Sequence, residues 1–564
     1  MRAPCYVYYC SGHGYGHATR VSFYLPVIFI VSSAPKQVFS DSVALGAQYR
    51  YADWVDPIIK SVEVLKAFLK NKDAFLKIEH EWLLSVQARC VLSDAAFLGC
   101  LAAKAAGVPS ILVTNFTFDS VYSYLATNFI DEQHSVQPGG TPALAPDVPI
   151  PHSLLEPLVS QIHAGYRCAD LLLLLPGHIP IPSFPTQLSL PATSWVDPQE
   201  NRFSPEVIEH LLCLKEHPYE CVLHDHVPFP PNTALSQRSF TRKVLPMPLL
   251  VRPPSSSVER SPYTPEGRAR LLKSANVPPE LHDPETTKLL IVSFGGQVLK
   301  WPGRKRATAS TGERNAKPIP TAPINPGLKK TSRLFPLAIP QLTISPSIQP
   351  QQLSELEDHR DIDPQPPQSP RLATASHIWI PGAPAVLNPV GSPVISSSSP
   401  HDDELSFPQL LPDSNWIAIV CGASKEQRED TSELPENFYL APKDPSADVL
   451  LGKLGYGTVA ECIDAGTPMV YVSRPLFIEE LGLRVLLENE GVGVEMSRGE
   501  YEDGHWSDRV KEAWEKARVA KKWKRKVEEG EKRDGAAGIT EREAETRKMA
   551  SVVVDWVEGC WKDI

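Results

Sequence analysis

The feature that most constrains this chain is a unit that recurs along it: a short apolar run, closing on glycine or a small polar residue, followed by residues at helical spacing. CYVYYCSG (5–12) is such a run, ending in a glycine loop, and VIFIVSS (27–33) is a second. CVLSD (90–94), the stretch CLAAKAAG and SILVTN (110–115) then make one βαβ unit. Between them, Ser61 to about Ala88 carries Val62, Leu65, Phe68 and Leu69 at helical spacing and predicts one long amphipathic helix. Apolar runs alternating with helices predict a parallel sheet wrapped by helices. PGHIPIPSF and the Pro/Ser-rich region around 225–265 read as irregular surface chain.

The same unit restarts with TKLLIVSFGGQ (287–297) and resumes with WIAIVCGAS (416–424), VLLGKLGYGTVAECIDAG (449–466) and TPMVYVSRP (467–475). At 564 residues the chain exceeds the ~250–300 at which a single core stops growing, so two α/β domains are expected. Between the two parts of the second domain, about 302–413 is rich in Pro, Ser, Thr and Gln and carries GRKRATASTGERNAK. The 56 prolines, roughly double average usage, concentrate there. Such a composition buries too little apolar surface to offset its ordering entropy and predicts a disordered insertion. The expected organisation is therefore 1–250, then 285–301 with 414–500, with 302–413 inserted and 501–564 a charged helical segment whose apolar end is Val552 to Val554 and Trp556.

Charge and cysteine usage exclude several classes. A net charge of -10 gives no drive toward nucleic acid or an anionic membrane. The 10 cysteines have no C-x-x-C pair and mostly sit in apolar runs, as reduced thiols of a cytoplasmic protein do. The N-terminal apolar run is too short for a signal core, and the longest apolar stretches contain proline and fall short of the ~20 residues of a membrane span.

Two motifs could carry chemistry. Gly12-His13-Gly14-Tyr15-Gly16-His17-Ala18-Thr19-Arg20 follows the first strand, where glycines let the backbone approach a ligand and a following helix N-terminus favours an anion. Its spacing is not G-x-G-x-x-G, so a dinucleotide site is not indicated, and a plain tight turn is the bland alternative. Gly455-Tyr456-Gly457-Thr458-Val459-Ala460-Glu461 follows another strand and offers a phosphate site at a helix start. Thr458 and Glu461 equally fit a capping box, which competes for the same carboxylate. Ser293-Phe294-Gly295-Gly296-Gln297, at the end of a strand of the same domain, would bring a second glycine turn to that edge. His224-Asp225-His226 lacks further Cys or His partners nearby and reads as surface, so no zinc is expected.

Five blocks in this order, YYCSGHGYGHATR, CVLSDAAFLGCLAAKAAGVPSILVTNFTFD, IVSFGGQ, IAIVCGAS and LLGKLGYGTVAECIDAGTPMVYVSRP, resemble the N-terminal glycosyltransferase-like part of L-arabinokinase-type proteins. GYGTVAECIDAGTPMVYV is more distantly similar to the donor-binding segment of family 28 glycosyltransferases. The resemblance implies a GT-B fold, two Rossmann-like domains facing across a cleft, with a nucleotide-diphosphate sugar, expected to be a UDP-sugar, held chiefly by the second. Carried over, Gly295 and Gly296 border the diphosphate, Gly457 and Thr458 start the phosphate-binding helix, and Glu461 holds the ribose. Gln297, Lys453, Gly455 and Glu479, with Gly14 and Gly16 across the cleft, complete the expected binding set. His17 stands where such enzymes place the base that activates the acceptor, and Asp94 could orient it; a solvent-exposed or helix-capping Asp94 stays equally open. An inverting transfer needs a base, an electrostatic sink and positioning, with no cofactor or obligatory metal.

The chain departs from that pattern in two ways. Nothing reads as the sugar-kinase ATP loop, and VGSPVISSSSP (390–400) lies in the Pro-rich insertion, so kinase activity is not expected. Only ten residues separate Gly16 from Val27, Pro26 among them, fewer than the dozen or more a crossover usually takes. The chain reads as internally shortened, which leaves two functions open: a transferase, or a non-catalytic module that binds a sugar nucleotide.

Overall fold

A computed structural model describes residues 5–10, 28–32, 48–50, 62–127, 149–218, 220–251, 265–293, 409–421, 435–441, 447–474, 477–497, 500–501, 504–518 and 541–562. All of them belong to one compact unit, Met1–Pro302 with Ser369–Ile564. The insertion expected over 302–413 thus lies almost wholly outside the described residues, as do both glycine turns at 11–20 and 294–297.

In the first half, β1 (Cys5–Cys10), β2 (Ile28–Ser32), β3 (Gln48–Arg50), β4 (Ala88–Asp94), β5 (Ser110–Thr114), β6 (Leu171–Leu174) and β9 (Lys243–Pro246) form one parallel sheet in the order β3-β2-β1-β4-β5-β6-β9. A small antiparallel pair, β7 (Val196–Asp197) with β8 (Arg202–Phe203), stands apart. Helices α1 (Val62–Lys70), α2 (Lys72–Ser85), α3 (Phe97–Ala105), α4 (Phe118–Tyr124), α5 (His152–Arg167) and α6 (Pro205–Glu216) link the strands. SILVT and LLLL are buried at every position, as strands covered on both faces must be.

The second half follows α7 (Pro265–Ser274). There β10 (Lys288–Ser293), β11 (Trp416–Cys421), β12 (Phe438–Ala441), β13 (Val449–Gly452), β14 (Met469–Val472) and β15 (Gly493–Met496) form a second parallel sheet, ordered β12-β11-β10-β13-β14-β15. Helices α8 (Tyr456–Ala465) and α9 (Glu479–Glu490) lie between its later strands. A helix over 507–518, α10, buries Val510 and Ala513 against the sheet, beside Trp506. The chain is therefore α/β with two Rossmann-like parallel sheets, the GT-B plan. In each sheet chain order reverses once, between β1 and β4 and between β10 and β13.

The last helix, α11 (Glu541–Trp561), returns to the first sheet. Val553 and Val557 share a core with Tyr6, Tyr8 and Cys90, and the Trp561 Nε1 donates to the Arg89 carbonyl at 2.8 Å. The charged C-terminal segment is thus part of the first half's packing. Its buried stripe is Val553, Val557 and Cys560 at helical spacing, while Val552 is exposed and Trp556 half-buried.

Four further expectations are corrected. The single long helix of 61–88 breaks at Asn71, whose backbone carbonyl accepts from Phe75 N as a second helix begins. PGHIPIPSF is irregular but not surface: Ile179, Ile181 and Phe184 are buried. The 225–265 region supplies an edge strand, β9, paired with β6 and ending at a proline, where a lost N–H costs least. Residues 409–413, placed in the insertion, begin the second half instead: Ser507 N donates to the Gln409 carbonyl at 3.0 Å, and Leu410 and Leu411 pack on its core.

Candidate functional site

In doubly wound sheets ligands gather beyond the carboxyl ends of the strands, where chain order reverses, because the loops leaving the two central strands diverge and open a crevice. Both reversal points here deliver a sequence motif. In the second half, Ser293 at the end of β10 is paired with Gly452 at the end of β13. A Cβ on Gly452 would lie 2.3 Å from the Ser293 carbonyl oxygen, so only glycine lets the two strands close at that point. The strand ends that lead into Lys453-Leu454-Gly455 and into 294–297 therefore lie side by side, and Gly295, Gly296 and Gln297 themselves lie outside the described residues.

Helix α8 begins at Tyr456 with Gly455 as its N-cap, and among the described residues no heavy atom apart from those of its chain neighbours lies within 4 Å of where a Gly455 Cβ would be. Its first turn contains no acidic side chain. The capping-box reading of Thr458 and Glu461 fails: Thr458 is the third helical residue and Glu461 the sixth, too far along to cap. Lys453, Gly457, Thr458 and Glu461 are all half-buried along this turn and helix start.

A cluster not anticipated from sequence braces the turn. Beyond β14, Arg474 donates from Nη2 to the Leu454 carbonyl at 2.6 Å, from Nε to Glu480 Oε1 at 2.5 Å and from its backbone N to Glu480 Oε2 at 2.7 Å. Its guanidinium also lies 4.4 Å from the Phe477 ring centroid. Burial pushes the Glu480 carboxyl up and the Arg474 charge pulls it back, with burial the larger effect. The signal for Arg474 was present in TPMVYVSRP, an arginine two residues past a strand end, but only the fold shows which carbonyl it reaches.

In the first half, Cys10 at the end of β1 is paired with Asp94 at the end of β4. The connection carrying Gly14, Gly16 and His17 starts there and lies outside the described residues. Asp94 is fully buried and accepts from the Tyr8 hydroxyl at 3.1 Å; the next helix is N-capped at Ala96. Neither the solvent-exposed nor the helix-capping reading of Asp94 holds.

The two sheets meet at these same ends. The Asn115 Nδ2, just past β5, donates to Glu479 Oε1 at 2.9 Å, and both residues are buried. Phe116 stands against Phe477 at 6.2 Å between ring centroids, and Ile478 and Leu481 enter the first half's core. The Leu250 N–H donates to the Tyr456 hydroxyl at 3.2 Å, tying the start of α8 to the segment between the halves. Glu479 is thus brought to the edge expected of it, yet its carboxylate already holds an amide from the other half.

Among the described residues no group of three or more His, Cys, Asp and Glu side chains could hold a metal. His226 is not a loose surface residue: its Nε2 lies 2.8 Å from Asp170 Oδ1, with its side chain 11% exposed. No helix among the described residues is long and apolar enough to cross a membrane.

No family model matches the chain. It is 23% identical over 535 residues to L-arabinokinase of Arabidopsis thaliana, covering 90% of this chain and 32% of that protein. The chain therefore spans about a third of that curated relative's length. Among solved structures, Phytolacca americana UGT2 complexed with UDP-2fluoro-glucose and pterostilbene superposes with a TM-score of 0.41 at 12% identity, over 99% of this chain and 100% of that one. A UDP-glucosyltransferase from Polygonum tinctorium capable of glucosylating indoxyl gives 0.42 at 12%, over 98% of both chains. CalG4, the calicheamicin glycosyltransferase, gives 0.37 at 13%, over the full length of both.

Proposed function

We propose that this chain binds a nucleotide-diphosphate sugar, a UDP-sugar by preference, at the carboxyl end of the second sheet and transfers the glycosyl group to an acceptor held by the first half. The observation that carries the reading is the reversal point between β10 and β13, where a glycine turn feeds the N-terminus of α8 and, among the described residues, only chain neighbours stand over Gly455. A helix N-terminus free of acidic side chains in its first turn suits a diphosphate, whose charge its N–H groups and dipole stabilise. Lys453 adds a positive charge to the turn, Thr458 a hydroxyl, and Glu461 a carboxylate for the ribose. Gly295, Gly296 and Gln297 come from the neighbouring strand.

On this reading His17, with Gly14 and Gly16 on the connection leaving β1, takes the acceptor proton, and Asp94 beside the start of that connection supports it. The leaving diphosphate is stabilised by α8, so the step needs no cofactor. Family 28 is the related class, the first half is residues 1–250, and the donor half is 285–301 with 409–518. The free thiols among the described residues suit a cytoplasmic protein. The kinase activity named for the longer relative is not part of the proposal, since the chain matches about a third of that protein.

Glu479 favours a second reading, a non-catalytic sugar-nucleotide-binding module, because its carboxylate is engaged by Asn115 rather than open to a sugar. A thermal-shift panel of nucleotide diphosphates and their sugars tests both, since a ligand at 100 times its Kd stabilises the fold by ~2.7 kcal/mol. No shift with any of them would overturn the binding site itself. If binding is found, Glu461→Ala is expected to weaken it by ~1.5–3 kcal/mol. His17→Ala is expected to leave binding unchanged and to remove ~100- to 10,000-fold of any transfer activity. Binding without transfer to any acceptor supplied selects the second reading.

A further inference from the structure

The described cysteines are not equivalent. Of the nine whose burial is described, Cys5, Cys90, Cys100, Cys168, Cys421, Cys462 and Cys560 are buried, whereas Cys213 and Cys221 are only half-buried. These two also stand together: Cys213 lies near the end of α6, Cys221 follows after one turn of chain, and their sulfurs are 3.9 Å apart. That is van der Waals contact between thiols, and a bond requires the sulfurs to close to ~2.05 Å. The segment following Cys221 is anchored, since Thr186 N donates to the Val222 carbonyl at 2.9 Å and His224 N to the Phe184 carbonyl at 2.9 Å. The chain on both sides of the pair is therefore held with the two sulfurs already in contact.

We propose that Cys213 and Cys221 form a redox-responsive pair that closes to an intramolecular disulfide on reaction with a low-molecular-weight disulfide. Burial, with the neighbouring Cys213, pushes the Cys221 thiol up to about 11. The thiolate of one cysteine of the pair attacks one sulfur of oxidised glutathione, forming a mixed disulfide and releasing one glutathione thiolate. The thiolate of the other cysteine then attacks the protein sulfur of that mixed disulfide, forming the protein disulfide and releasing the second. Two electrons pass from the two protein thiols to the glutathione disulfide, and their two protons end on the two glutathione thiols.

The closed pair would staple the end of α6 to the loop beyond it. Two residues from Cys213, the Lys215 ammonium reaches Glu490 Oε1 at 2.8 Å, at the far end of the helix whose start carries Glu479 and Glu480. The staple would thus close beside one of the contacts between the halves, whatever ligand the chain binds. Being exposed, that ion pair adds little by itself; the gain comes from restricting the unfolded chain, which is modest for a loop this short.

The test is to incubate the full chain with oxidised glutathione, alkylate, digest with trypsin and map the thiols by mass. Because Lys215 separates the two cysteines, the expected product is a linked pair of peptides lighter by two hydrogens than the sum of the reduced pair. The seven buried cysteines should alkylate only after unfolding. Oxidised wild-type protein should melt a few degrees higher than reduced, and Cys213→Ser and Cys221→Ser proteins should not respond. Either single variant should instead trap glutathione on the cysteine that remains. Free alkylation of both thiols after treatment that oxidises dithiothreitol in the same buffer would overturn the proposal. So would glutathione persisting on either cysteine of the wild type, or a bond to any other cysteine.

Discussion

Glu480 shows how much one residue's meaning depends on its surroundings. As a glutamate in IEELGLR it is an ordinary helix-start acid, favoured there by the dipole. In the fold it is 2% exposed and answered by both the guanidinium and the backbone N–H of Arg474. Arg474→Met would leave a buried carboxylate without its partner and is expected to cost ~3–5 kcal/mol in urea unfolding. Adding Glu480→Leu should recover most of that loss; a single variant as stable as wild type would show the pair to be dispensable. Glu461 differs. With Gly455 as the cap, Glu461→Ala removes no capping carboxylate, so a nucleotide-affinity loss should appear without the ~1 kcal/mol stability loss of a missing cap.

At the scale of elements, α9 is held by a glycine that its sequence alone does not explain. A Cβ on Gly482 would lie 2.5 Å from the Gly177 carbonyl oxygen and 2.8 Å from that of His178, both backbone atoms of the first half. Gly482→Ala should therefore force the helix off that backbone and destabilise by ~1–3 kcal/mol, despite alanine's better helix propensity. A stabilised variant would mean the halves approach less closely than this. The C-terminal helix makes the matching case. Val557 is fully buried under the first sheet, so Val557→Asp should cost several kcal/mol by placing an unpaired charge there, whereas Val552→Asp, on the exposed face, should stay within ~0.5 kcal/mol.

The whole molecule has a pH dependence whose sign follows from three histidines. Burial holds His178 down to about 4 and also lowers His210 and His224. The unfolded chain, with its histidines near ~6.5, then binds more protons than the folded one, so stability falls as pH drops from ~6.5 toward ~4. Glu480 works the other way, since a raised carboxyl favours the folded state on acidification, but it is one group against three. Melting temperature measured across that window should decline, and His178→Asn should make the decline shallower; a flat profile in wild type would contradict the assignment. Also at this scale, removing residues 303–400 should leave melting temperature nearly unchanged, because that composition buries little, whereas extending the deletion through Gln409 to Leu411 should lower it.

What the sequence determined by itself was the class and its rhythm. Continuous apolar strands such as SILVT and KLLIVS can only be buried on both faces, and their alternation with helices requires parallel sheets; the turn at Gly455 was legible as a glycine turn after a strand. It also singled out Gly455 and Glu461, because a turn that feeds a helix is a local pattern. The edge strand β9, the buried PGHIPIPSF and the docking of α11 were not legible, because proline and charge mark those stretches as surface until a neighbouring element covers them. Tertiary structure alone decided that Gly455, not Thr458, caps α8, that Arg474 braces the turn before it, and that Asn115 meets Glu479 across 364 residues of chain. Each of those depends on which strands lie side by side, and strand order is fixed by the competition of all the buried surfaces at once.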